Sequence, residues 1–131
     1  MKKKINVVAA IIENDAAEIL CALRSSSMSL PNLWEFPGGK IDTEESEIEA
    51  LKREIKEELL CEIDIISPFD DYTHEYEKMF IRLITYKCRI IQGTPTVTEH
   101  AKLVWLKREY LNSLVWAPAD ISTLDKLIKE Q

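Results

Sequence analysis

Between Asp42 and Leu59, the apolar residues Ile48, Leu51, Ile55 and Leu59 recur at i, i+3, i+7 and i+11. That spacing is one face of an α-helix, and it requires a core to pack against. Asp42, with Glu45 three residues on, has the form of a reciprocal capping box. The pattern predicts a helix near residues 43–60. Eight acids and three bases lie between Asp42 and Glu58, so this stretch carries −5 of the chain's net charge of −6. On charge alone two readings stay open, a solvated helix face or a surface that holds cations.

The rest of the chain supplies what that helix must cover. Ile5 to Glu13 is rich in Val and Ile, as a buried strand is. Asn14-Asp15 is turn chemistry, and Glu18 to Arg24 reads as a return strand that completes a hairpin. Ser25 to Asn32 is a polar loop, and Leu33 to Phe36 runs into Pro37-Gly38-Gly39. Glu62–Ile66, Tyr72–Tyr76, Met79–Ile91 and Lys102–Leu106 read as further strands, and Lys107–Leu114 as a helical turn. Pro118 opens a final helix to about Lys129, with Ile121, Leu124, Leu127 and Ile128 inward. Strands and helices mix without regular βαβ alternation, which predicts an α/β (α+β) sandwich with a mixed sheet.

Length and composition close off other classes. At 131 residues the chain suits one domain over 1–131, and 46% hydrophobic with 31% charged residues excludes disordered and fibrous forms. The longest apolar run, Val7–Ile12, is far too short to span a bilayer. Met1-Lys2-Lys3-Lys4 before Ile5–Ile12 mimics a short signal peptide, but Asn6 interrupts the apolar stretch. A net negative charge opposes binding to DNA, RNA or anionic membranes. Cys21, Cys61 and Cys88 are odd in number and widely spaced, which points to reduced thiols and a cytoplasmic protein.

Two places carry chemistry. Gly38 and Gly39 are two of only three glycines, and they permit unusual backbone conformations or close approach of a carbonyl to a ligand. Glu54, Glu57 and Glu58 stand at i, i+3 and i+4, within an arc of about 100° on the helix. Such carboxylates repel, and a hard divalent cation relieves the repulsion while keeping sites for water and phosphate oxygens.

Gly39, Glu45 after five intervening residues, and Arg53-Glu54-Ile55-Lys56-Glu57-Glu58 after seven more resemble the signature of the Nudix hydrolases. Trp34-Glu35-Phe36-Pro37-Gly38-Gly39-Lys40 is similar to the run preceding that signature in MutT-type members. Glu99-His100, Leu103-Val104-Trp105 and Ala117-Pro118-Ala119-Asp120 look like the later part of the family's CTP pyrophosphohydrolases. One position departs. The family usually has Gly two residues after the last Glu, ending the helix in a left-handed turn; here it is Leu60, where a Cβ costs on the order of 1 kcal/mol. Leu60 either extends the helix or ends it differently.

The resemblance implies a Nudix-type α/β/α sandwich and conversion of a nucleoside triphosphate to monophosphate plus pyrophosphate. It implies Mg²⁺, with Mn²⁺ as substitute, held by Glu54, Glu57, Glu58, the Gly38 carbonyl and Glu99. Glu54 is the favoured general base and Glu99 its competitor; Glu45 and Arg53 orient the site. Arg24 matches a phosphate-contacting position, and Trp34, Phe36, Gly39 and Lys40 fall on the substrate side. Asp120 stands where the CTP branch has Asp and the guanine-preferring branch has Asn, and an ionised Asp accepts from an amino group such as cytosine N4. Trp116, too, is placed to stack on a base or to fill the core. His74 and His100 stay unassigned. The expected substrate is (d)CTP or an oxidised or modified nucleotide. The alternatives are 8-oxo-dGTP hydrolysis and a module that senses nucleotide without turnover. The partner is a small nucleotide rather than a nucleic-acid polymer or a membrane, and the chain is a monomer or homodimer.

Overall fold

In the computed structural model, which describes residues 2–130, the Val- and Ile-rich start forms β1 (Lys3–Ile12) at the middle of a mixed sheet. Met1 and Gln131, the ends of the expected 1–131 unit, lie outside the described residues. The strands that follow are β2 (Glu18–Leu23), β3 (Trp34–Glu35), β4 (Gly38–Lys40), β5 (Glu62–Glu75), β6 (Met79–Gln92) and β7 (Lys102–Lys107). One sheet has the order β4-β1-β6-β5 and the other β3-β2-β7. β1 runs parallel to β6, from Lys3 opposite Met79 to Ile12 opposite Cys88, while the other strand pairs within the two sheets are antiparallel.

Successive residues of β1 face opposite ways, and both faces are buried. Val8, Ala10 and Ile12 join Ala50, Leu51, Ile55 and Leu59 of α1 (Glu47–Leu59) in one apolar cluster. Ala9 and Ile11 join Leu124 and Leu127 of α2 (Ile121–Lys129) in another. This is the expected α/β/α sandwich, and burial on both faces explains why the Val7–Ile12 half of β1 is continuously apolar.

Several local expectations need correction. The expected turn joins β1 to β2, closed by the antiparallel Glu13–Ile19 bridge and by the Asn14 N–H donating to the Glu18 carbonyl at 3.0 Å, but the strands then enter different sheets instead of continuing as a hairpin. Both edges of β1 are occupied, by β4 and β6, so no edge is left for β2. Glu62–Ile66 and Tyr72–Tyr76 belong to one strand, β5, which ends at Glu75 and stays paired to β6 through register shifts around Ser67 and Asp70. Bulges at these shifts absorb the irregularity that Pro68 introduces.

Helix α1 begins at Glu47 and is capped by Ser46, not Asp42. The Ser46 hydroxyl accepts from the Glu49 N–H at 3.1 Å, and the Glu49 carboxylate accepts from the Ser46 N–H at 2.9 Å. Asp42 and Glu45 form a separate turn before it. Ile48 and Ile121, expected inward, are 36% and 43% exposed at the first turns of their helices. Leu60 settles the open question at the other end: its φ of 58° and ψ of 35° put a leucine in the left-handed turn that usually takes glycine.

Candidate functional site

β4 lays Gly38 and Gly39 against β1, opposite Ala9 and Val8. Neither glycine has a positive φ, so the need for glycine is spatial, not conformational. A Cβ on Gly38 would lie 2.0 Å from the Val8 carbonyl oxygen, and one on Gly39 would lie 2.2 Å from a Glu54 carboxylate oxygen. The second contact joins the glycine pair to the acidic helix. Glu54 sits in the space that the missing side chain leaves.

Arg53 organises the outer part of this face. Its Nε and Nη2 donate to the two oxygens of Glu45, at 2.6 and 2.8 Å, in a bidentate pair. Nη1 donates to Glu57 at 2.9 Å and lies 3.5 Å from Glu54, and Nη2 also donates to the Lys40 carbonyl. This bonding holds the Glu45 carboxyl below its ordinary range, chiefly through the Arg53 hydrogen bond. Glu45 and Arg53 therefore brace the loop before α1, the signature helix and β4 together.

The inner carboxylates behave in the opposite way. Burial, reinforced by the Glu57 charge, raises the Glu54 pKa against the pull of Arg53. Burial pushes Glu58 up to about 8, with Glu54, Glu35 and Glu99 adding repulsion and His100 opposing it. A divalent cation would relieve that field, and the donor atoms offered are all oxygens, the choice of Mg²⁺ or Mn²⁺ over softer metals. Among the described residues, however, no three His, Cys, Asp or Glu side chains are gathered as a closed metal cluster. Glu57 is turned outward to Arg53, with a side chain 59% exposed. Glu99 lies in the segment between β6 and β7 and is exposed.

Beside these groups opens a cleft of about 640 Å³. Its charged lining includes Arg24, Lys40, Glu58 and Glu99, with Gly38 and Gly39 between them. Its apolar lining comes from Ile5, Val7, Ile81 and Leu83 on the sheet face, together with Phe36. Asp120 and Tyr76 add polar atoms to the apolar part. Arg24 donates to Glu35 at 2.7 Å and to the Ser29 carbonyl at 2.7 Å, which fixes its guanidinium in the wall.

Asp120 is buried and makes no side-chain cap bond to α2, so helix capping does not explain it. It accepts the Phe36 N–H at 3.0 Å. Burial, with help from the Glu35 charge, pushes its pKa up to about 8, opposed by Phe36 and Arg24. Burial thus favours the protonated form of this carboxyl over the ionised acceptor expected from the sequence, and a protonated carboxyl can both donate and accept.

The aromatic residues divide. Phe36 reaches the cleft, backed by Trp116 at 4.7 Å between ring centroids. Trp34 and Trp116 do not line it. Trp34 packs on the cluster under α2, and the Trp116 indole N–H donates to the Leu111 carbonyl inside that cluster. Three further groups, Glu35, His100 and Tyr76, stand in the site. Glu35 accepts from Arg24 and lies 2.8 Å from buried His100, and Tyr76 accepts the Ala119 N–H while facing the cleft. A charged residue between Trp34 and Phe36 is a readable signal for Glu35, and the Glu99-His100 pair marks His100 through the resemblance alone; nothing local marks Tyr76.

A family model described as the NUDIX domain matches residues 7–126. The chain is 39% identical over 123 residues to the CTP pyrophosphohydrolase of Escherichia coli K12, covering 94% of this chain and 90% of that one. It is 30% identical over 129 residues to the 8-oxo-dGTP diphosphatase of Haemophilus influenzae, covering 98% and 95%. A solution structure of the MutT protein, family Nudix hydrolase, from methicillin-resistant Staphylococcus aureus 252 superposes with a TM-score of 0.81 at 49% identity, each chain fully covered.

Proposed function

The chain belongs to the Nudix family, and from that premise we propose that it is a pyrophosphohydrolase converting a nucleoside triphosphate to monophosphate and pyrophosphate, with (d)CTP or a modified cytosine nucleotide as substrate. The observation that carries this reading is one cleft holding Glu58, Glu99 and the glycine pair at its charged part and protonatable Asp120 at its apolar part. A protonated carboxyl donates one hydrogen bond and accepts another, which suits N3 and the N4 amino group of cytosine. Phe36 and the apolar sheet face offer the base a dry surface.

Glu54, Glu57, Glu58, Glu99 and the Gly38 carbonyl would hold Mg²⁺, or Mn²⁺ in its place. When bound, the metal supplies the charge that lets a polyphosphate enter among carboxylates, and it activates water. Glu54, seated against Gly39, takes the proton of the attacking water, and Glu99 is the alternative base. Arg24 and Lys40, both in the lining of the cleft, would face the phosphates. Residues 1–131 act as one unit in the cytoplasm, in keeping with three buried free cysteines.

The test is a panel of CTP, dCTP, 5-methyl-dCTP, 8-oxo-dGTP, dGTP, ATP and a nucleotide sugar with Mg²⁺, separating pyrophosphate from orthophosphate. Pyrophosphate released fastest from cytosine nucleotides is the expected result. Fastest release from 8-oxo-dGTP would keep the reaction and overturn the cytosine assignment. Tight binding without turnover would make the protein a sensor.

A further inference from the structure

Residues 93–101 carry Glu99 and His100 without a helix or strand of their own, yet they are tied down at both ends. The Thr96 N–H donates to the Leu59 carbonyl at 2.9 Å, and the Thr98 hydroxyl donates to the Glu58 carbonyl at 2.6 Å. These are carbonyls of the last turn of α1, which a helix leaves without internal partners. Farther along, the Ala101 N–H donates to the Leu23 carbonyl at 2.9 Å. Between these ties, His100 is 3% exposed. Its Nε2 lies 2.8 Å from Glu35, itself held by Arg24, and its Nδ1 faces Glu58 at 3.6 Å with no hydrogen-bond partner. Glu58 is thus held at its main chain by Thr98 and faced at its carboxylate by His100.

We propose that Thr98 and His100 are positioning residues that clamp the Glu99 segment onto the end of α1, so that Glu99 and Glu58 are presented to one ligand together. The inference rests on the reading of Glu58 and Glu99 as metal-holding groups. A short polar segment has many accessible conformations, and an unclamped Glu99 would lose entropy each time it engaged a cation. The two hydrogen bonds to helix carbonyls remove that loss in advance.

The experiment compares Thr98→Val, Thr98→Ser, His100→Leu and Glu99→Gln on the full chain. It reads Mn²⁺ affinity without nucleotide, amide exchange at Thr96 and Ala101, and the separate kcat and KM for CTP with Mg²⁺. Thr98→Val should speed exchange at Thr96 and weaken Mn²⁺ roughly fivefold, with kcat falling similarly and KM unchanged. Thr98→Ser should restore all three, and His100→Leu should weaken Mn²⁺ about tenfold. Faster exchange in Thr98→Val with unchanged Mn²⁺ affinity and kcat would overturn the clamp while leaving the metal assignment intact. Unchanged Mn²⁺ affinity and turnover in Glu99→Gln would instead refute the assignment of Glu99, and the clamp with it. If His100→Leu unfolds, the Thr98 pair decides alone.

Discussion

The charged and apolar parts of the cleft are built on opposite terms with the fold. At the charged part and just beside it, burial pushes Glu58 and Glu54 toward protonation, with Glu54 repelling the first and Glu57 the second, so their ionised forms oppose the folded state. At the apolar part, Phe36 lies in the core cluster with Trp116, Leu124 and Leu127 while also facing the ligand space. One part holds its chemistry against stability and the other shares its residues with the core. Function and folding should therefore separate under mutation at the first part and fall together at the second.

Glu54→Gln is the strongest break. It should lower kcat by roughly 10²–10⁴-fold, the range for loss of a positioned acid–base group, while thermal unfolding stays at or slightly above the parent temperature. Near-normal turnover would refute the charged part as the reacting end. Phe36→Ala tests the other side and should cost about 3–5 kcal/mol in denaturant unfolding, with nucleotide affinity weakened as well. Lost affinity with unchanged stability would mean that the two parts do not differ as described.

Asp120→Asn sharpens the contrast in two ways. Asparagine keeps one donor and one acceptor, as a protonated carboxyl has, so the ratio of CTP to 8-oxo-dGTP turnover should move by less than about threefold; a shift toward guanine of tenfold or more would show that the ionised carboxyl reads the base. Its pH dependence has a definite sign. The folded pKa of about 8 lies above the ordinary 3.8, so the stability this group contributes is complete below about pH 4 and is lost as pH rises through 8. The parent should therefore lose stability relative to Asp120→Asn between pH 5 and 8, by on the order of 1 kcal/mol per pH unit. Parallel stability curves for the two proteins would contradict the buried, protonated state.

The smallest effect belongs to neither part. Leu60→Gly should raise stability by about 1 kcal/mol, because Leu60 is 57% exposed and gives up little burial while leaving a left-handed conformation that disfavours a Cβ. Unchanged kcat alongside a higher unfolding midpoint is the expected pair of readings.

The charged part was largely legible in the linear chain because its geometry is helical and local. Glu54, Glu57 and Glu58 needed only the 3.6-residue period to share a face, and the Arg53–Glu45 pair spans eight positions. The period did not say which carboxylate turns inward. Burial decided that, sending Glu57 out to Arg53 while Glu54 settled over Gly39. The cap was misplaced for a related reason: Asp42–Glu45 and Ser46–Glu49 both have capping chemistry, and the packing of Ala50 and Leu51 selects the second.

The amphipathic period and the mix of strands and helices were enough to predict an α/β sandwich with a mixed sheet, and the resemblance carried by the spacing from Gly39 to Glu58 pointed to the family. Tertiary structure alone decided that β2 leaves β1, that Trp34 and Trp116 serve the core, and that Asp120 is buried, which favours its protonated form. It also brought Glu35, His100 and Thr98 to the end of α1. The physical reason is one of range: helical period and backbone sterics act over a few residues, whereas desolvation, strand-edge availability and hydrogen bonding across 40 or 65 positions exist only once the chain has closed on itself.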